Sequence, residues 1–166
     1  MDDGFAEYVA HRHLRLCRMA YLLARDWGTA EDLVQTALAK AWLAWRRIEG
    51  NPDPYVYRII VNTHSSWWRR RWRGEVPTET LPETADVRDA TADVDDQAAL
   101  WGAIGALSPR QRAVIVLHYF EGRTLTEVAD IVGSSLGAVK SQLNRALTRL
   151  RVDSDIQTMT LERAQR

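Results

Sequence analysis

The chain has one cysteine, Cys17, and only two lysines, Lys40 and Lys140, among its 166 residues. A single thiol cannot form an internal disulfide, which excludes a cystine-stapled secreted scaffold and fits a reducing cytoplasm. No apolar run of about 18 residues occurs, so no membrane-spanning helix is expected. The first stretch, MDDGFAEYVAHRHLRLC, is charged throughout and has no apolar signal core. With lysine so scarce, positive charge falls to 20 arginines, a bias that concerns codon usage more than function. His11, His13, His64 and His118 are scattered and form no ligand quartet with Cys17. A structural zinc site needs four clustered ligands, so no metal is expected. Also missing are a Ser–His–Asp signature, a glycine-rich phosphate loop and a framework holding paired carboxylates. The chain is therefore expected to have no catalytic residues, no cofactor and no small-molecule substrate.

What is present is strongly patterned. The net charge is zero, from 22 basic and 22 acidic residues, but the signs are segregated. Residues 1–74 carry 12 basic against 8 acidic groups, and residues 97–166 carry 9 against 6. Between them, residues 75–96 carry eight acids and only Arg88. That strip, EVPTETLPETADVRDATADVDD, is too poor in large apolar residues to build a packed core. It reads as a flexible acidic linker over 75–97, separating a domain over 1–74 from one over 98–151, with a tail over 152–166.

Both flanking blocks read as helical, so the fold class is all-α. A first helix over about 4–25 has Phe5, Val9, Leu16, Met19, Ala20 and Leu23 for its inner face. A second is expected to start at Thr29, capped there with Asp32 replying, and to bury Val34, Leu38, Ala41, Trp45 and Ile48. A third opens at Asp53 as cap with Pro54 in its first turn, buries Val56, Ile59, Ile60 and Thr63, and stops at Gly74. These make a three- or four-helix bundle. Downstream, Ser108–Pro109–Arg110–Gln111 spells a capping box. Leu125, Val128, Ala129 and Val132 then form a short helix ending at Gly133. The next helix, capped by Ser135, turns Leu136, Val139, Leu143, Leu147 and Leu150 inward. Short helix, glycine turn and second helix make the helix-turn-helix pattern.

Two clusters point to nucleic acid. The outer face of the last helix carries Lys140, Ser141, Asn144, Arg145, Thr148 and Arg149, donors for base edges and phosphates in a major groove. The bland alternative is a helical hairpin with a solvated polar face. The other cluster is WWRRRWR, residues 67–73, with three of the chain's seven tryptophans. Indole faces stack on unpaired bases while guanidinium groups neutralise phosphates. The bland alternative is a basic helix end whose tryptophans pack on their neighbours. At a helical period the three indoles cannot all face one way, so at least one is expected to pack the bundle.

The stretches TAEDLVQTALAKAWLAW, DPYVYRIIVNTHSSWWRRRWRGEVP and ALSPRQRAVIVLHYFEGRTLTEVADIVGSSLGAVKSQLNRALTRLR together resemble the extracytoplasmic-function sigma factors of the sigma-70 family. Trp-Trp-Arg-Arg-Arg after Val-Asn-Thr is similar to the actinobacterial, sigma-E-like type in particular. The resemblance spans about residues 5–151 and implies a bacterial transcription initiation factor. Such a factor binds core RNA polymerase at the clamp helices of the largest subunit and at the flap. It directs the enzyme to promoter DNA and opens the duplex at the −10 element. By the same resemblance, Glu31, Asp32, Leu33, Gln35, Thr36, Ala39 and Trp42 dock on core polymerase. Asn62, Thr63, His64, Ser65, Trp67, Trp68, Arg69, Arg70 and Arg71 recognise and melt the −10 element. Ser135, Lys140, Ser141, Asn144, Arg145 and Arg149 bind the −35 element. An anti-sigma factor, often membrane-anchored, is implied as a further partner, while the chain itself is cytoplasmic.

Two features depart from the common pattern. Ala138 and Gln142 stand where many members have threonine and arginine, removing a hydroxyl and a charge from the recognition helix. The residues after Arg151 are too few for another domain and read as a frayed tail or a short helix ordered by a partner. The competing functional class is a self-sufficient helix-turn-helix regulator, which would bind duplex operators as a dimer. No dimerisation element is evident, and the two-lobed layout argues for the sigma-factor reading.

Overall fold

The computed structural model describes residues 3–74 and 94–164. Among the described residues there are helices and no strands. The acidic strip expected to be a linker lies outside them, except for its end, where residues 94–97 already belong to a helix.

The N-terminal lobe has three long helices, α1 (Asp3–Ala24), α2 (Trp27–Ala44) and α3 (Asp53–Trp72). A single 3₁₀ turn, Trp45–Arg47, extends α2. The cap of α2 differs from expectation. Its N-cap is Asp26, whose carboxylate accepts from the Thr29 amide (2.8 Å) and hydroxyl (2.7 Å). Thr29 is thus inside the first turn. A carboxylate satisfies two donors there and also meets the positive end of the helix dipole, which a threonine hydroxyl cannot do as well. Those same hydrogen bonds hold the Asp26 carboxyl below its usual range.

The start of α3 is also a correction. Asp53 is its first residue, not its cap, and Asn51 Oδ1 accepts the Asp53 amide instead (3.0 Å). The Asp53 carboxylate turns inward because Tyr8, Arg12 and Arg123 all converge on it as donors.

The C-terminal lobe runs α4 (Val94–Ala106), α5 (Pro109–Ile115), α6 (Leu125–Val132) and α7 (Leu136–Ala164). The capping box at Ser108 and Gln111 forms as expected. A second box, Thr124 with Glu127, starts α6. Between them α5 widens into a π-helical turn, Val116–Phe120, closed by the Glu121 amide on the Val116 carbonyl (3.0 Å). Gly133 adopts φ 69° and ends α6, with its own amide and that of Ser134 both reaching the Ala129 carbonyl. Only glycine takes that left-handed conformation without strain, which is why the turn of the motif falls here. The tail beyond Arg151 continues α7 without a break to Ala164.

Both lobes are helical as expected, but they do not stand apart. Leu16, Met19 and Leu23 of α1, Leu33 and Val34 of α2, and Val56, Tyr57 and Ile60 of α3 form one cluster. It continues without interruption into Val114, Val116, Leu117, Val128 and Ile131 of the C-terminal lobe. A smaller cluster of Leu107, Ile115 and Ala146 seats α7 on α5.

Candidate nucleic-acid interface

On α7 the burial pattern separates two faces. Val139 and Ala146 are buried and Leu143, Leu147 and Leu150 half-buried, whereas Leu136, expected inside, is 38% exposed at the helix start. Ser135, Lys140, Ser141, Asn144, Arg145 and Arg149 are all exposed. Ser135 also caps the helix, its hydroxyl accepting from the Ala138 amide (3.1 Å). Thr148 spends its hydroxyl on the Asn144 backbone carbonyl (2.8 Å), which takes that hydroxyl out of the outward row of donors. The result is a rigid helix presenting a row of donors one turn apart, the geometry that fits a major groove. Arg110 was not anticipated as a site residue. From the start of α5 it donates to the Ser134 hydroxyl (2.7 Å), which places a cation beside the start of α7. Its signal was hidden inside the capping-box motif.

At the other pole, the C-terminal end of α3 and the start of α2 enclose a cleft of about 310 Å³. Thr29, His64, Trp67, Trp68, Arg70 and Arg71 line it. The volume is at the lower end of small-ligand pockets, room for a planar ring but little more. Trp67 packs against the shared core, so it is an indole that serves the bundle. Asn62, Arg69, Arg70 and Arg71 are exposed; Thr63, Ser65, Trp67 and Trp68 are half-buried. His64 differs from expectation, being only 7% exposed. Burial, with the positive charges of Arg112 and Arg71 behind it, pushes His64 down to about 4. The ring is therefore neutral at pH 7 and shapes the cleft floor rather than offering a cation to DNA.

The residues expected to dock on polymerase divide in the same way. Glu31, Asp32, Gln35, Ala39 and Trp42 are exposed along α2, and Thr36 is half-buried. Leu33 is not on that face; it is fully buried in the bundle, because its helical phase matches Ala30, Val34 and Ala37. Sequence reasoning missed Leu43, which is 79% exposed beside Trp42 at 42%. Its signal was an apolar residue off the inner stripe of α2. Trp42 also packs on Phe5, with ring centroids 5.1 Å apart.

Among the described residues no group of three or more His, Cys, Asp or Glu side chains could hold a metal ion. No described helix is long and apolar enough to cross a membrane.

Comparison with known proteins accounts for this two-pole layout. Residues 8–74 match the family description "Sigma-70 region 2", and residues 103–152 match "Sigma-70, region 4". The chain is 44% identical to the RNA polymerase sigma-E factor of Streptomyces coelicolor, over 98% of this chain and 94% of that protein. It is 30% identical to the ECF RNA polymerase sigma factor SigM of Mycobacterium tuberculosis, over 89% of this chain and 75% of that one. In structure it is similar to the sigma factor RpoE in complex with the anti-sigma factor NepR from Bartonella quintana. That likeness has a TM-score of 0.76 at 28% identity, covering 92% of this chain and 98% of RpoE. It shares the fold of CnrH, solved with the cytosolic domain of CnrY, with a TM-score of 0.68. With both regions matched in order and relatives aligned along nearly their whole length, the chain belongs to the extracytoplasmic-function sigma factors of the sigma-70 family.

Proposed function

We propose that the chain is a promoter-specificity subunit, acting in the cytoplasm, that binds core RNA polymerase and opens promoter DNA. The observation that carries this reading is one chain with two differently built surfaces suited to nucleic acid: an exposed donor row on α7 and an indole–arginine cleft on α3. The first suits intact duplex, where base edges are read in the major groove. The second suits unpaired bases, whose stacking on aromatic rings is worth about 1–3 kcal/mol per base. Residues 1–74 would then dock on polymerase and melt the −10 element, and residues 98–151 would read the −35 element. Within α2 the docking face is Glu31, Asp32, Gln35, Thr36, Ala39 and Trp42, joined by Leu43. The chain supplies binding energy and no catalysis.

The structurally similar sigma factor RpoE was captured with the anti-sigma factor NepR, and a protein of that kind is the expected regulator here. Run-off transcription with core polymerase on a genomic library template tests the main reading. A promoter-specific product that appears only when this chain is added is expected. No product on any template would overturn it. Operator binding by a dimer of the chain alone would point to the stand-alone regulator instead.

A further inference from the structure

We propose that the cleft between α2 and α3 seats one nucleotide whose base carries an exocyclic amino group beside a bare ring nitrogen, cytosine or adenine, and that Thr29 makes the selection. The inference rests on the reading above, in which this cleft holds unpaired bases; it adds which bases, and by which residue. The same chemistry occurs in an opened DNA strand and in a free nucleotide.

The cleft is graded from floor to rim. His64 lies deepest, only 7% exposed, and its ring makes no hydrogen bond among the described residues. Half-buried Trp67 and Trp68 form walls, and Trp67 is fixed by its packing on the bundle. Exposed Arg70 and Arg71 complete the lining. No carboxylate lines it; Asp26, which feels the charge of Arg71, turns its carboxylate to Thr29. A void left by imperfect packing is apolar throughout. This one has an unpaired imidazole at its base. Polar floor, aromatic walls and cationic rim fit a nucleotide entered base first, with its phosphate left at the arginines.

Thr29 supplies the selecting atom. Its hydroxyl donates to Asp26 Oδ2 (2.7 Å), and its amide donates to the same oxygen (2.8 Å). A hydroxyl has one proton and two lone pairs, so with the proton committed Thr29 Oγ1 can only accept from a ligand. The uncharged His64 ring offers one N–H and one bare nitrogen. An amino group donating to Thr29, with the neighbouring ring nitrogen accepting from His64, satisfies both residues. Cytosine and adenine carry that pair on their base-pairing edge. Thymine and guanine place a carbonyl oxygen where the amino group would be. That oxygen would meet the lone pairs of Thr29, and two acceptors would be left unsatisfied in a partly buried site.

Selection is thereby tied to the start of a helix. Thr29 is the third residue of α2, and the carboxylate that caps the helix also fixes the direction of its hydroxyl proton. A β-branched side chain is stiff about its first torsion, so the accepting oxygen is held in place before any ligand arrives.

The experiment titrates the full chain with labelled single-stranded tetranucleotides that differ only in carrying dC, dA, dG or dT at one position. Fluorescence anisotropy should show the dC and dA probes bound about tenfold more tightly than the dG and dT probes. Thr29→Val keeps the shape and removes the acceptor, so it should abolish the preference while leaving dT binding unchanged. Thr29→Ser keeps the acceptor and should retain the preference. Equal binding of all four probes by the parent, or a preference that survives Thr29→Val, would overturn the selection and leave the cleft as a site for unpaired bases. Failure to bind any probe, alone or with core polymerase, would instead overturn that reading, and the selection with it. If thermal melts show that Thr29→Val unfolds, the parent is titrated with probes carrying 2-pyrimidinone or purine, which lack only the amino group. About tenfold weaker binding than the dC and dA probes is expected, and equal binding would overturn the selection. Free dCMP and dAMP serve as competitors to separate the two sources. Displacement of the dC probe by either assigns the cleft to nucleotides from solution as well, and displacement by oligonucleotides alone confines it to a DNA strand.

Discussion

The two lobes carry their candidate DNA-binding residues in opposite ways. On α7 every candidate is exposed, and the helix is held only from behind by Val139, Ala146 and the leucines. On α3 the candidates are graded, from exposed Arg69 to Arg71, through half-buried Trp67 and Trp68, to buried His64. A surface that reads a finished duplex needs only rigid presentation, because the groove brings the base edges to it. One that holds unstacked bases must provide walls, and walls are partly buried by definition. The difference in burial is thus a difference in the state of DNA each lobe suits.

Four measurements would break or sharpen that contrast. The largest effect concerns whether the lobes are separable at all. Leu33 and Leu117 sit in one continuous core, so Leu33→Ala and Leu117→Ala should each cost about 2–5 kcal/mol and lower the same single unfolding transition. Two melting steps, each sensitive to only one of the substitutions, would show that the core is not shared.

Next comes acid. His64 is held at about 4, below its ordinary 6.5. Between these values the unfolded chain binds the proton and the folded one does not, so stability rises with pH. The contribution is complete above pH 6.5 and is lost as pH falls to 4, amounting to up to about 3 kcal/mol. Urea unfolding at pH 7.5 and 4.5 should give a smaller difference for His64→Gln than for the parent chain. Equal pH slopes would place His64 in water.

A smaller effect separates the two DNA surfaces directly. Arg145→Ala should weaken binding to duplex carrying the upstream element by about 1–3 kcal/mol and relax its sequence preference. Trp68→Ala should reduce permanganate reactivity of the opened −10 region more than it reduces closed-complex binding. If either substitution impaired both steps equally, the division of labour between the lobes would fail. The smallest effects are at the caps. Asp26→Ala and Ser108→Ala should each cost about 1 kcal/mol of stability in thermal melts. No loss for Asp26→Ala would return the cap of α2 to Thr29.

The sequence made local features legible wherever one short segment controls them. The span of α1, the box at Ser108, the glycine stop at Gly133 and the outward row on α7 all follow from spacing within a few residues. Asp26 was overlooked because a threonine followed three residues later by an acid also spells a cap, and the choice depends on chain direction at Arg25, which adopts φ 60°. Leu33 and His64 lay within stretches whose resemblance was read as a block, whereas burial is decided residue by residue through helical phase. The packing of the two lobes on each other was illegible. Asp53 and Arg123 are 70 residues apart, and Tyr57 and Glu121 are 64 apart, so no periodicity connects them. Asp53 in particular looks like a cap in the sequence because it stands directly before Pro54, which suits a first helical turn. Its inward turn depends on three donors brought from elsewhere.

The π-helical turn at Val116–Phe120 has a consequence for how chain length and aim are coupled. A π turn accommodates one extra residue without breaking the helix, and each helical residue advances the side-chain direction by about 100°. That added step is a phase correction. It leaves Val116 and Leu117 facing the core while swinging Tyr119 and Phe120 outward and bringing Glu121 round to Tyr57. The contact between the lobes is therefore tuned by counting as much as by chemistry: an α-helix one residue shorter could keep Glu121, Tyr57 and Arg15 and still point Glu121 away from its partners.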